Sequence, residues 1–102
     1  MFRVLARVIE LETSRCATTN STIIHLILVD EYAEFEVIFS SQYLRRIVAP
    51  VIPRDNLLHV DFNTILNHLQ GNQYELFLKV GPWNQIGQYC ELVLLKLFPS
   101  PD

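Results

Sequence analysis

IIHLILVDEYAEFEVIF, residues 23–39, contains two strands and the turn that joins them. Residues 21–30 carry apolar side chains on both faces, which is typical of a strand covered on both sides. Residues 30–32 supply a tight turn, and residues 33–40 then alternate apolar and polar side chains with a period of two. The two segments therefore predict a β-hairpin. One face of its second strand is predicted to carry Phe35, Val37 and Phe39.

The remaining predicted strands lie towards the two ends of the chain. Residues 2–12 are rich in Val, Ile and Leu and predict a long first strand, which a polar loop over residues 13–20 follows. Residues 74–80 and 89–98 predict the last two strands, and residues 81–88, with two glycines and a proline, join them. The chain thus contains five predicted strands.

Two predicted helices separate the third strand from the fourth. Ser41 is a suitable cap for a short helix over residues 42–48, which stops before a proline because the residue preceding proline disfavours helical geometry. Asp61 is a suitable N-cap for a second helix over residues 62–69, whose apolar residues recur at i, i+3, i+4 and i+7. Gly71 stands where a C-terminal glycine belongs.

Composition favours one small domain that works by binding. The chain has 102 residues, half of them apolar, so burial can offset chain entropy. So large an apolar share in so small a domain predicts apolar surface for a partner protein or for self-association. No apolar stretch reaches the roughly 18 residues of a membrane span. The net charge of −3 excludes a strongly basic nucleic-acid binder, and the two separated cysteines predict ordinary intracellular thiols.

The order of strands and helices resembles the oligonucleotide/oligosaccharide-binding (OB) fold, a five-stranded Greek-key barrel with a helix between its third and fourth strands. The resemblance rests on residues 23–39 and on the closing stretch YELFLKVGPWNQIGQYCELVLLKLF, residues 74–98. It predicts one mainly β domain over residues 1–98 and a tail over residues 99–102. The chain is similar to the smallest subunits of replication protein A type and telomere-capping complexes. That resemblance implies a non-enzymatic subunit of a complex that binds single-stranded DNA, and the cysteine usage together with the charged first strand predicts a nuclear or cytoplasmic location.

Catalytic patterns do not stand out in the sequence. Its histidines and cysteines are scattered singly, which predicts no metal site, and its glycines match no phosphate-binding loop, so no cofactor is expected. His25 lies within an apolar strand and is predicted to be a hydrogen-bonded core or interface histidine. His68 is predicted to face solvent.

Direct binding of single-stranded nucleic acid is the second functional hypothesis. In OB domains the second and third strands and two loops form the binding surface, and aromatic side chains stack on the bases. The candidate residues are Arg15, Tyr32, Tyr43, Arg45, Arg46, Lys79 and Trp83. Alternatively, Trp83 anchors its loop, and Arg45 and Arg46 form a solvated helix face. Against the hypothesis stand the hairpin's carboxylates Asp30, Glu31, Glu34 and Glu36, which repel phosphate.

Binding of a larger protein subunit is the first hypothesis. The first helix offers apolar residues at the spacing by which helices dock into grooves. One outward face of the last strand adds either Leu92, Leu94 and Phe98 or Val93, Leu95 and Leu97. The predicted partner-binding residues are Leu44, Ile47, Val48, Leu92, Leu94 and Phe98. The alternative is that both helices belong wholly to the domain's own core.

Overall fold

A computed structural model describes residues 1–52, 61–81 and 91–101. The strands are β1 (Phe2–Arg15), β2 (Thr22–Val29), β3 (Glu34–Ser40), β4 (Gln73–Val80) and β5 (Leu92–Pro99). Among the described residues between β3 and β4 there are two short helices, α1 (Leu44–Val48) and α2 (Phe62–Leu69). The predicted mainly β class, with helices after the third strand, is confirmed. Neither helix in the described part of the chain has the length and apolarity to cross a membrane.

The five strands form one sheet that closes into a ring in the order β1-β2-β3-β5-β4. Closure depends on β1, which pairs antiparallel with β4 through its first half and with β2 through its second half. The seam between β3 and β5 is parallel and contains the pair Ile38 and Val93. Helix α1 contacts β5 beside this seam. The seam is therefore the place where the sheet leaves room for a helix and a groove.

The predicted hairpin of β2 and β3 is confirmed. Its apolar positions alternate into the ring, and the turn between the strands is held by Asp30, whose Oδ1 accepts hydrogen bonds from the backbone N–H of Tyr32 (2.7 Å) and Ala33 (2.9 Å). These bonds stabilise the carboxylate, so the pKa of Asp30 lies below its usual value. The fully enclosed hairpin residues are Ile24, Leu26, Leu28 and Val37.

Helix α2 has the predicted bounds and the predicted cap. The Asp61 carboxylate accepts a hydrogen bond from the Thr64 backbone N–H at 2.8 Å, and its bonds to Thr64 lower the pKa of Asp61. Gly71 follows the helix with a positive φ of 86°, which an L side chain rarely adopts. The exposed His68 faces solvent as predicted, while Ile65, Leu66 and Leu69 form the buried stripe.

The first helical segment differs from its prediction in two ways. Ser41–Tyr43 forms a 3-10 turn and α1 begins only at Leu44, so Ser41 is not the cap of an α-helix. The apolar side chains of α1 lie in the chain's own core, because their spacing turns them all towards the sheet. The predicted partner-binding residues Leu44, Ile47 and Val48 therefore form no free surface, and the alternative of a core helix fits the structure.

A one-residue register shift in β5 corrects the predicted faces of that strand. Phe77 pairs with Lys96 but Leu78 pairs with Leu94, so Leu95 is an extra residue in the ladder. Leu94 on one side of this bulge and Leu97 beyond it are both buried, whereas Phe98 faces outward against Phe77. Leu94 and Phe98 were predicted to share a face, which is wrong because strict alternation fails at the bulge. Of the predicted partner-binding residues, Leu92 and Phe98 keep exposed surface.

We expect Leu44→Ala to lower the free energy of unfolding by about 2–5 kcal/mol, because it removes a buried side chain and leaves a cavity. Urea unfolding followed by circular dichroism measures the change. Gln42→Ala, at an exposed position of the preceding turn, is the control and should stay within about 0.5 kcal/mol of the wild type. A small change for Leu44→Ala would contradict the core position of α1.

Candidate functional site

A groove of about 500 Å³ lies between α1 and the outer face of β5. Tyr43 and Arg46 line it from the helical side, and Lys79, Lys96 and Phe98 line it from the strands. The floor is apolar, since Phe39 and Leu94 belong to the buried core. Cationic and aromatic side chains therefore line the sides of the groove, and apolar side chains line its floor.

Local structure explains why these side chains meet. Lys79 on β4 pairs with Val93, and Lys96 on β5 pairs with Phe77, so both lysines stand on the outer face of neighbouring strands. In α1 the buried stripe contains Ile47, which leaves the preceding Arg46 exposed beside the sheet. One helix and two strands, α1, β4 and β5, thus each contribute one cationic side chain to the groove.

The groove is positively charged, whereas the molecule as a whole has a negative net charge. It holds three of the eight Lys and Arg residues, and no carboxylate stands among its described lining residues. Within the described residues, other arginines have partners: Arg3 Nε donates to Glu75 Oε2 at 2.6 Å, and Arg7 donates to the Gly71 carbonyl at 2.6 Å. The local excess of positive charge favours an anionic ligand over a cationic one in this groove.

The structure brings together three of the predicted nucleic-acid-binding residues, Tyr43, Arg46 and Lys79. Arg45 is exposed on α1 next to them. Trp83 lies outside the described residues. Lys96 is a groove residue that the sequence did not indicate, because its orientation depends on the bulge in β5.

The other two predicted residues lie at opposite ends of β2. Arg15 ends β1 and donates a hydrogen bond to Asn20 Oδ1 at 3.2 Å in the β1–β2 connection. Tyr32 is 85% exposed at the turn to β3 and lines a second depression together with Asp30 and Glu31. Neither Arg15 nor Tyr32 lines the groove beside α1.

The outer face of β1, β2 and β3 is acidic. Glu10, Ile27 and Glu36 form one row across the three strands, and Glu12, His25 and Ile38 form the next. Carboxylates thus lie on both sides of Ile27 and on one side of His25. Negative charge on this face repels phosphate, and the opposition of the acidic run to nucleic-acid binding on the second and third strands stays a prediction.

A chain of hydrogen bonds crosses this acidic face. Ser14 Oγ lies 2.7 Å from His25 Nε2, and His25 Nδ1 lies 3.1 Å from Glu36 Oε1. His25 is hydrogen-bonded at both ring nitrogens, in agreement with its predicted satisfied state, but it lies on the outer face with 24% of its side chain exposed. Ser14 was not singled out in the sequence, and Glu36 was singled out only as one of the hairpin's carboxylates. Their equal spacing of eleven residues from His25 becomes informative only once both strand registers are known.

No model of a known protein family, no curated protein and no solved structure gives a significant match to this chain. Its function therefore has to be inferred from its own surfaces.

We expect Cys16, in the β1–β2 connection, to react readily with iodoacetamide at neutral pH. Hydrogen bonds from Thr19, and also from Thr18, stabilise the thiolate and lower the pKa of Cys16 from 9.0 to about 7, and the thiolate is the nucleophile. Alkylation rates measured by peptide mass spectrometry should reach their midpoint near pH 7. Thr19→Val should move that midpoint upward. An unshifted midpoint in both proteins, close to that of a free cysteine, would contradict the described loop geometry.

Proposed function

We propose that this chain is an OB-type binding module whose groove between α1 and β5 holds single-stranded nucleic acid. The observation that carries the proposal is that Arg46, Lys79 and Lys96 line one groove together with three aromatic residues, and that the described lining of this groove lacks carboxylates. Cationic grooves with aromatic platforms are the general means of binding single strands without sequence readout.

The architecture supports the OB assignment. A five-stranded sheet closes on itself, and α2 stands between the third and fourth strands in chain order, as in the OB fold. The chain departs from that pattern in where its cations gather. They stand beside β5, while the face of β2 and β3 carries Glu34 and Glu36.

The groove has the size and chemistry for a nucleotide segment. Its volume of about 500 Å³ falls within the usual range of ligand pockets. Lysine and arginine side chains neutralise phosphates, and an aromatic platform such as Tyr43 stabilises a stacked base by about 1–3 kcal/mol. Trp83 follows Lys79 by four residues and remains a proposed stacking residue.

A larger protein subunit is the second proposed ligand, and exposed apolar residues at one end of the ring favour it. Phe2 is 41% exposed and Val80 is 51% exposed, and Phe2 pairs with Leu78 two residues before Val80. Such side chains near each other are typical of a surface that a partner covers. In this proposal the chain is a nuclear or cytoplasmic subunit of a single-strand-binding, genome-maintenance or telomere-capping complex.

We expect labelled oligothymidylate of about 15 nucleotides to bind the full chain, with log affinity falling against log salt at a slope of about −2 for three phosphate contacts. Lys79→Gln with Lys96→Gln should weaken binding and reduce the slope to about −0.7. Tyr43→Ala should weaken it by about 1–3 kcal/mol through lost stacking. Fluorescence anisotropy at several salt concentrations measures all three.

The matched control is Arg3→Gln with Arg15→Gln, which makes the same charge change outside the groove. It should leave the affinity close to that of the wild type. Equal weakening by both double variants would show that net charge, rather than the groove, governs binding, and absence of binding at low salt would refute the proposal.

We expect the isolated chain to self-associate through the exposed end of the ring when its partner is missing. Phe2→Ser with Val80→Ser should shift the population towards monomer, because apolar area is removed from the contact. Size-exclusion chromatography with light scattering measures the molar mass, with Tyr32→Ser as a control at a more exposed aromatic residue elsewhere. A wild-type chain that stays monomeric at high concentration would count against this end as an interaction surface.

A further inference from the structure

We propose that Ser14 is a nucleophile which His25 and Glu36 activate towards uncharged or cationic esters. The three side chains come from three neighbouring strands. β-Sheet register places Ser14 opposite Ile23 and His25 opposite Ile38, so Ser14 and Glu36 approach the imidazole from its two sides. Serine, histidine and a carboxylate joined in this order are the working parts of serine hydrolases, which are recognised by geometry rather than by chain order.

The positions of the protons on His25 and Ser14 follow from the Glu36 carboxylate, which accepts a hydrogen bond at one end of the chain of hydrogen bonds. An ionised Glu36 carboxylate can only accept a hydrogen bond, so His25 Nδ1 must donate across the 3.1 Å contact. In the neutral imidazole Nε2 is then the acceptor, and the Ser14 hydroxyl donates to it at 2.7 Å. This is the tautomer in which histidine can take the serine proton.

Access and charge define the substrate class. Ser14 is exposed, whereas the imidazole is largely covered, so the nucleophile is open to a ligand while its base is held in place. Glu12 pairs directly with His25 and adds a second negative charge beside the imidazolium that forms during reaction. The same carboxylates repel anionic substrates, which leaves uncharged and cationic esters.

The reaction balances without any further reagent. Ser14 Oγ forms a bond to the acyl carbon as its proton passes to His25 Nε2, and the ester C–O bond breaks as the imidazolium returns that proton to the leaving alcohol. Water then attacks the acyl carbon and gives a proton to Nε2; the bond between that carbon and Ser14 Oγ breaks, the proton passes from Nε2 to Oγ, and the carboxylic acid leaves with Ser14 and His25 restored. General-base assistance of this kind contributes about 10²- to 10⁴-fold.

The test uses a fluorescent fluorophosphonate, which forms an Oγ–P bond and expels fluoride. We expect the full wild-type chain to be labelled at Ser14, as located by peptide mass spectrometry, and Ser14→Ala to remain unlabelled. His25→Ala should slow labelling by about 100-fold, with partial rescue by added imidazole. Glu36 acts as a positioning residue, so Glu36→Gln should slow labelling while Glu36→Asp retains part of the rate.

Ser21→Ala, which removes another serine hydroxyl close to Ser14 in the chain, is the matched control and should be labelled like the wild type. Thermal unfolding monitored by circular dichroism identifies variants that fold. Labelling that does not occur, that occurs at another residue, or that is unchanged in folded His25→Ala would overturn the proposal and leave the hydrogen bonds a purely structural link. The experiment contains no nucleic acid, so its failure is distinguishable from failure of the groove.

Discussion

Strand register is the constraint on which the rest of the molecule depends. β2 lies between β1 and β3, and Ile24, Leu26 and Leu28 are enclosed on its inner face. A slip by one residue would move all three to the surface and turn His25 inward. Each buried aliphatic side chain contributes about 1.5–3 kcal/mol, against a total stability of about 5–15 kcal/mol for a small domain. The alternative register is therefore excluded, and the outer face acquires a fixed arrangement.

Two single-residue irregularities convert that register into sites. The register shift between Val8 and Glu10 inserts Ile9 as an extra residue in β1. The side chains after it therefore change faces, and Ser14 contacts His25 on the outer face. The shift opposite Phe77 and Leu78 adds Leu95 to β5 and turns Lys96 and Phe98 outward, towards the groove. Bulges of this kind reorient the side chains that follow them.

More of the fold than of the candidate sites could be predicted from the sequence. The hairpin, helix α2 and the Asp61 cap depend on residues close in the chain, so alternation and helical spacing predict them. Helix α1 begins later than the sequence predicted, because a 3-10 turn replaces the first residues of the predicted helix. Ser14, Lys96 and the inward position of Leu94 depend on pairing between distant strands and on bulges, which no local pattern encodes. The sequence therefore indicated Tyr43, Arg46 and Lys79 as separate candidate residues. That they line one groove could be seen only once the closed sheet was known.

Charge is segregated rather than merely negative on balance. Eleven acidic and eight basic residues give −3, yet the described groove lining is cationic and the outer face of β1 to β3 is acidic. At physiological salt, exposed charges more than about 8 Å apart are largely screened, so local arrangement outweighs the net value. On the acidic face, Glu12 pairs with His25, and Glu36 Oε1 lies 3.1 Å from His25 Nδ1. In the two proposals the groove takes an anionic ligand and the Ser14 face an uncharged or cationic one, so binding at one need not compete with binding at the other.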